Sequence, residues 1–288
     1  MKYFLRLMHP QPAESLYDCN LIGKMKTAIA IAAHPDDIEM MMAGTLLLLK
    51  KAGYEIHYMN LTFGNVGSVV YDSETTKTIR LEEAKNAARI LGAHFHPPFC
   101  NDLEIFYDLN SLRRVAAVIR DVKPTVVLTH SPVDYMEDHT TTCRLAVTAA
   151  FARGMPNFET VPAYAVGDYD CTVYHALPHT LRDPLRRVIV PGAFVNTTAV
   201  QPTKMEALKA HQSQQNWLDV SQKMNSYLQT MEETSLAVGK MSKQFTHAEG
   251  WRRHLHVGFC TADADPLHEL GADYLVNESY EKELNAGI

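Results

Sequence analysis

The chain has 288 residues, of which 46% are hydrophobic and 21% are charged, a composition typical of folded globular proteins rather than disordered or low-complexity ones. Its formal net charge of −6 disfavours nucleic acid or an anionic membrane as the main partner, because both attract an excess of basic residues. No apolar stretch approaches the ~18–20 residues that span a bilayer. Five scattered cysteines without a CxxC motif argue against a disulfide framework and predict a reducing, cytoplasmic location.

The predicted elements alternate between strand and helix along the first half of the chain. Residues 1–24 lack the continuous apolar segment of a signal peptide, and we expect them to be an N-terminal extension of a single domain at residues 25–288. Short apolar runs at Thr27–Ala33, Tyr54–Thr62 and Thr125–Thr129 predict buried strands. Helices are predicted at Glu39–Ala52, Thr78–Leu91, Leu112–Val122 and Thr140–Arg153.

This alternation predicts an α/β fold, a Rossmann-like three-layer sandwich whose mostly parallel sheet has helices on both faces. The segment Pro156–Thr203 is rich in proline and glycine and predicts a loop-rich C-terminal cap. Ligands of such sheets bind beyond the carboxyl ends of the strands, so we expect the loops at 34–39, 63–68 and 130–139 to meet at one edge. The first of these loops has no GxGxxG motif, which excludes a dinucleotide-binding site there.

One histidine and two adjacent carboxylates, His34, Asp36 and Asp37, directly follow the first predicted strand. Buried charged groups need a cation or hydrogen bonds, and catalytic zinc takes three protein ligands and leaves one position open for water. A second polar cluster, Asp134–His139, follows the third predicted strand and would supply His139 as the third ligand. Spacing alone leaves another interpretation open, in which Asp36 or Asp37 caps the following helix and His139 lies at the surface.

The segment His34–Glu39, with Gly44 and Thr45 shortly after it, resembles the signature of the PIG-L/LmbE family of zinc-dependent de-N-acetylases. The resemblance extends from about Met25 to about Gln215. Its further motifs occur in the family's order: Gly64 and Gly67, Arg80-x-x-Glu83-Ala84, Leu91-Gly92, Lys123-Pro124, Thr129-His130, Asp138-His139 and Lys204-x-x-Ala207-x-x-x-His211-x-Ser213-Gln214. The resemblance implies a hydrolase that uses zinc-activated water to remove an acetyl group from an N-acetylated amino sugar or its conjugate, of the N-acetylglucosaminyl type.

The resemblance also implies roles for individual residues. His34, Asp37 and His139 match the family's three zinc ligands, and Asp36 matches the general base that takes a proton from the water. A site of two histidines and one carboxylate can also hold Fe2+, so the resemblance leaves both metals open.

Four further residues match, or lie near, positions through which the family contacts its substrate: Arg80, Gly64, Asp108 and His211. Alternatives stay open for two of them on the residues alone. Arg80 could instead pair with a neighbouring glutamate on its helix, and Asp108 could cap the helix that follows it.

The chain departs from the family at one position. Many members read His-Pro-Asp-His where this chain reads Met-Glu-Asp-His from Met136, and a methionine cannot donate a proton. His130, Tyr135 and His211 are candidates to replace that histidine. Asp138 could act in catalysis, cap the following helix or orient a metal ligand. A zinc-binding, catalytically impaired sugar-binding member and a hydrolase of another small amide therefore stay open as alternatives.

Two histidines of the predicted cap, His175 and His179, could lie at the rim of the pocket, but the favoured interpretation is that they are ordinary exposed or hydrogen-bonded histidines. The partner that the resemblance implies is a small-molecule N-acetylated sugar, with no nucleic acid and no membrane span. Since the family often assembles into oligomers, a homo-oligomer is also expected.

Overall fold

The central element is a sheet of eight strands in the order β3-β2-β1-β4-β5-β7-β6-β8. The computed structural model describes residues 25–215, 227–284 and 286, so the predicted N-terminal extension lies outside the described residues. The strands are β1 (Thr27–Ala32), β2 (Glu55–Asn60), β3 (His94–His96), β4 (Val126–Thr129), β5 (Thr172–Ala176), β6 (Ala193–Asn196), β7 (Ala248–Arg253) and β8 (Tyr274–Val276). β1 to β5 are parallel, and β7, β6 and β8 join them in antiparallel pairings.

Helices cover both faces of this sheet. They are α1 (Asp37–Met41), α2 (Ala43–Lys51), α3 (Ser73–Leu91), α4 (Leu109–Val122), α5 (Glu137–Phe151), α6 (Gln201–Lys209), α7 (Tyr227–Ser242) and α8 (Glu278–Leu284). Because successive side chains of a strand point to opposite faces, Ala28 and Ala30 of β1 pack in one apolar cluster with α2, α6 and α7. Ile29 and Ile31 pack in the other cluster, with α4 and α5. The three-layer sandwich with a mostly parallel sheet is therefore confirmed.

The helix predicted at Glu39–Ala52 is two helices that are separated at Met42. The first backbone N–H groups of α2 donate to the carboxylate of Glu249 on β7, with N···O distances of 2.8 Å. Lys204 donates to the same carboxylate at 2.8 Å, and both side chains of this ion pair are fully buried. A carboxylate at a helix N-terminus satisfies N–H groups that have no partner within the helix. The break follows from this distant contact.

The loops that follow β1, β2 and β4 meet at one edge of the sheet. The side-chain amide of Asn60 donates to the carbonyl of His34 at 2.6 Å, and the Thr62 hydroxyl donates to the carbonyl of Ala33 at 3.0 Å. The backbone N–H of Ala33 donates to Nε2 of His130 at 2.9 Å. These bonds join the three loops into one surface, as the strand order predicts.

Long connections flank β5 and supply the loop-rich cap. Residues 155–171 and 177–192 contain turns and irregular backbone rather than helices or strands. Part of the second connection reaches the edge of the sheet at which the three loops meet. Among the described residues, no helix is long and apolar enough to cross a membrane.

Candidate active site

His34, Asp37 and His139 converge at this edge, with ligand atoms that all lie within 4.8 Å of one another. Nδ1 of His34 lies 3.3 Å from Oδ2 of Asp37, and Nε2 of His139 lies 3.3 Å from Oδ1 of the same carboxylate. His34 follows β1, whereas Asp37 and His139 lie in the first turns of α1 and α5. Two imidazole nitrogens and a carboxylate form a donor set that fits a catalytic zinc ion and leaves a coordination position for water.

Each of the two histidines binds a carboxylate through its other ring nitrogen. Nε2 of His34 lies 3.0 Å from Asp138, and Nδ1 of His139 lies 3.1 Å from Asp134. An ionised carboxylate only accepts hydrogen bonds, so these nitrogens carry the ring protons. In the neutral imidazoles that a metal ion binds, the lone pairs of the opposite nitrogens would then face Asp37, which is the tautomer that metal binding requires.

His130 belongs to a second group that could hold a metal ion, with Asp134 and His139. Its ring stacks on that of His139, with centroids 4.1 Å apart and an interplanar angle of 7°. The Nε2 of His130 already accepts the N–H of Ala33, and Nδ1 of His139 already donates to Asp134. Because both nitrogens are occupied, the chemistry of the donors favours the group formed by His34, Asp37 and His139.

The electrostatics of the cluster suit a cation. Burial alone would raise the pKa of Asp37, but the neighbouring His139 and His130 hold that pKa well below its usual range. Burial alone would lower the pKa of His34, but hydrogen bonds to Asp138 and Asp37 raise it to about 10. The charge of Asp37 and a bond to Asp134 likewise raise the pKa of His139 to about 9. A divalent cation would displace the protons of His34 and His139 and would itself attract the negative charge of Asp37.

We expect Asp138→Asn to weaken zinc binding by about 10- to 100-fold, because outer carboxylates orient the ligating histidines. His34 and the backbone N–H of Leu103, the latter at 2.8 Å, both donate to Oδ2 of Asp138, and a neutral amide oxygen is a weaker acceptor there than an ionised carboxylate. Competition with a coloured chelator measures the affinity. The matched control is Asp108→Asn at an exposed N-cap, where asparagine serves equally well. Equal zinc affinities for the two variants would contradict the assigned role of Asp138.

Asp36 lies beside the metal cluster and contacts residues that are not part of it. Its φ of +115° is unusual for a residue other than glycine, and such strain concentrates at functional sites. The Tyr227 hydroxyl donates to its Oδ2 at 2.7 Å, and Arg80 lies 3.8 Å from the same oxygen. Burial raises the pKa of Asp36 to about 6 despite the opposing charge of Arg80. The side chain of Asp36 makes no capping bond to α1, so the capping interpretation is wrong for this residue.

Arg80 connects the two loops that flank Asp36. Its guanidinium is buried and donates to the carbonyls of Gly64, at 3.0 Å, and Pro35, at 2.6 Å. The alternative pairing with a neighbouring glutamate is wrong. Glu82 and Glu83 bind other partners, namely Lys85 and Ser213.

We expect Gly64→Ala to lower the free energy of unfolding by about 2–5 kcal/mol, since positive φ and displacement of a packed group both cost energy. Gly64 has φ +75°, and an added Cβ would lie 2.5 Å from the guanidinium carbon of Arg80. Gly53 has φ +92°, and an added Cβ there would meet no atom within 4 Å, so Gly53→Ala isolates the backbone cost. Urea unfolding measures both variants, and equal losses would show that the contact with Arg80 is unimportant.

A cavity of about 240 Å³ opens onto these groups. Six of the predicted site residues line it: His34, Asp36, Asp37, Arg80, Tyr135 and His139. Five others lie outside its lining: Gly64, Asp108, His130, Asp138 and His211. Met136, the position of the family's missing histidine, contributes to the wall.

The predicted residues outside the lining have identifiable structural positions. Asp108 is exposed and accepts a hydrogen bond from the backbone N–H of Ser111 at 2.7 Å. It therefore caps the helix that follows it, which is the alternative that the sequence left open. His211 is buried beside Glu39, with Nε2 3.4 Å from Oε2. A direct role for these residues in substrate binding stays a prediction.

Sequence reasoning missed four residues of the site. Asp134 lay within the second polar cluster and could have been identified there. Tyr227 carries no motif signal, and Gln214 belongs to the last motif of the resemblance but was given no role. For His179, an ordinary histidine was favoured over a residue at the rim of the pocket. Tyr227, Gln214 and His179 all line the cavity.

Comparisons with known proteins agree with this geometry. Residues 29–150 match the family model described as PIG-L, GlcNAc-PI de-N-acetylase. The diacetylchitobiose deacetylase of Thermococcus kodakarensis is 30% identical over 237 residues, which cover 79% of this chain and 83% of that protein. The chain belongs to the PIG-L family.

Hydratases are also among the proteins that this chain resembles. The 4-oxalmesaconate hydratase of Pseudomonas putida is 30% identical over 208 residues, covering 68% of this chain and 77% of that protein. The crystal structure of a 4-carboxy-2-hydroxymuconate hydratase from the same species superposes with a TM-score of 0.67 at 26% identity, covering 80% of this chain and 96% of that one. Family membership alone therefore does not decide the reaction.

Proposed function

We propose that this PIG-L family member is a metal-dependent hydrolase that removes the acetyl group from an N-acetylated amino sugar or its conjugate, of the N-acetylglucosaminyl type. The observation that carries the proposal is the donor set of His34, Asp37 and His139 beside a separately held carboxylate, Asp36, in one cavity. A zinc ion, when bound, lowers the pKa of water to about 7 and polarises a carbonyl oxygen. Fe2+ is the alternative metal for the same donors.

Side chains of the protein orient the metal ligands and transfer the proton. Asp134 and Asp138 hold the rings of His139 and His34 in the ligating tautomer. Asp36 takes the proton of the attacking water as general base, and a pKa of about 6 leaves it ionised at neutral pH yet basic enough for this task. Tyr227 and Arg80 bind its Oδ2, so Oδ1 is the oxygen available to the proton. The same carboxyl group then returns the proton to the departing amine.

The charge of the cavity supports a neutral amide substrate. Among the described residues of its wall, Arg80 is the one Lys or Arg side chain, and its donors are directed at two backbone carbonyls. Three carboxylates line the same space: Asp36, Asp37 and Asp102. Such a wall attracts the hydroxyl groups and acetamide of a sugar more readily than a substrate with several carboxylates.

Addition of water to a carbon–carbon double bond is the second candidate function. It is favoured by the similarity to the two hydratases and by Met136, which replaces the histidine of many deacetylases. Both reactions use an activated water. The water attacks an amide carbonyl carbon in the first reaction and a carbon of a C=C bond in the second. The small number of free cationic groups in the cavity argues against this candidate, because hydratase substrates of that kind are anionic.

Acetate release from a panel of substrates tests the proposal. The zinc-loaded protein is incubated with N-acetylglucosamine, diacetylchitobiose, an N-acetylglucosaminyl inositol, acetanilide and an unsaturated tricarboxylate. We expect acetate from at least one sugar and no loss of the conjugated absorbance. Acetate from acetanilide alone would favour the broader amide hydrolase, and lost absorbance without acetate would favour the hydratase. Sugar binding without turnover would identify a catalytically impaired member. A cytoplasmic location and a homo-oligomer stay predictions.

A further inference from the structure

His179 is one of the side chains lining the metal cavity that have a buried polar atom without a hydrogen-bond partner among the described residues; the other such atoms are Oδ1 of Asp102, Oε1 of Gln214 and Nε of Arg80. His34 and His139 each bind a carboxylate, Tyr227 donates to Asp36, and Arg80 donates to backbone carbonyls. Nδ1 of His179 is buried and has no hydrogen-bond partner among the described residues. A buried polar atom without a partner is costly, and such atoms in native proteins call for a specific explanation.

The position of His179 suits contact with a substrate. It follows β5 by three residues, at the carboxyl end of a strand that is parallel to β4, where ligands of such sheets bind. It lines the metal cavity together with Tyr135, and the same two residues line a neighbouring cavity of about 470 Å³. His179 therefore stands where the reacting group and the rest of a larger substrate would meet.

The hydrogen-bond donors in this part of the cavity are the His179 imidazole and the Tyr135 hydroxyl, which both line the two cavities. Met136 offers a thioether at the wall, which cannot donate. The imidazole of His179 carries at least one N–H in either protonation state, and a donor without a protein partner is free to bind a ligand oxygen.

We propose that His179 is a catalytic residue that donates a hydrogen bond to the acetamide oxygen as negative charge develops on it. The inference rests on the proposed function. Water oxygen bonds to the carbonyl carbon, the π electron pair moves to the carbonyl oxygen, and Asp36 takes the water proton. The electron pair on the carbonyl oxygen then re-forms the C=O bond, and the C–N bond breaks with its pair going to nitrogen, which receives the proton from Asp36. Acetic acid and a free amine result, and the acid then loses the second water proton to the amine or to solvent and becomes acetate. His179 forms no covalent bond and keeps its proton throughout.

Two readouts test this role, and one of them is independent of turnover. Removing a donor to such an oxyanion costs about 10²–10³ in kcat, so we expect His179→Leu, which has no donor, to lower kcat for acetate release by about 100-fold with KM and zinc content unchanged. Methylphosphonate resembles the tetrahedral state, whereas acetate resembles the planar product. By calorimetry on zinc-loaded protein, we expect His179→Leu to weaken methylphosphonate binding by about tenfold or more and to leave acetate binding unchanged.

The matched control is His94→Leu, which replaces an exposed histidine on β3, far along the sheet from the cavity. Tyr135→Phe tests the other donor that lines both cavities. The inference is overturned if the wild type binds methylphosphonate no more tightly than His179→Leu does, or if Tyr135→Phe alone shows the selective loss. Absence of acetate release by the wild type counts against the proposed function instead, and the methylphosphonate comparison still decides the role of His179.

Discussion

Replacement of Asp36 by asparagine is expected to lower kcat for acetate release by about 10²–10⁴-fold while the zinc content stays unchanged. An amide has nearly the shape of a carboxylate but cannot accept a proton. The amide oxygen can still accept from the Tyr227 hydroxyl, which lies 2.7 Å from Oδ2 of Asp36, so the local structure should survive. Steady-state kinetics and elemental analysis of the same preparation measure the two quantities.

Asp102→Asn is the matched control for this prediction. Asp102 is a buried carboxylate in the wall of the same cavity, and it accepts the backbone N–H of Val66 at 3.1 Å. Because it is not placed to take the water proton, we expect its loss to change kcat by less than about tenfold. Activity of Asp36→Asn that equals the wild type would exclude Asp36 as the base. A loss of zinc in Asp36→Asn would instead assign the residue to metal binding.

Replacement of Lys204 by methionine is expected to lower the free energy of unfolding by about 3–5 kcal/mol, because it leaves a buried charge without its partner. The Lys204 ammonium lies 2.8 Å from Oε1 of Glu249, and neither side chain is more than 2% exposed. The same carboxylate binds the N-terminus of α2, directly behind the α1 turn that carries Asp37. The change therefore destabilises the helices that position the site without replacing a residue of the site.

Lys209→Met is the control on the same helix. Lys209 pairs with Glu206 at 2.6 Å, but both side chains are about half exposed. Solvent screens such a pair, so the expected loss is at most about 0.5–1 kcal/mol. Urea unfolding compares the two variants. Losses of equal size would mean that water reaches the Lys204–Glu249 pair and that the buried charge does not control stability.

The parts of the site that the sequence predicts are those fixed by local motifs at strand ends. His34 and Asp37 follow a recognisable apolar strand. His139 ends the polar cluster that follows another such strand. Because parallel strands end at the same edge, neighbouring loops were expected to converge, and the ligand atoms do converge. The strand and helix alternation predicts the three-layer fold for the same reason.

The remaining features depend on contacts between distant parts of the chain. Hydropathy gives no sign that Glu249 will interrupt a helix 205 residues earlier, or that Tyr227 will bind Asp36 from 191 residues away. The roles of Asp138 and His130 were equally hidden, since each depends on which ring nitrogen or backbone group it faces. Motif and periodicity report local preferences, whereas these contacts arise only in the packed structure.

The metal content of the protein tests the central claim most directly. Elemental analysis is made on protein purified without added metal or chelator, beside the His139→Ala and Asp37→Ala variants. The three-ligand site predicts about one zinc or iron ion per chain in the wild type and loss of that metal in both variants. A wild-type protein that holds no metal even after zinc is supplied, or variants that retain it in full, would contradict a metal site formed by His34, Asp37 and His139.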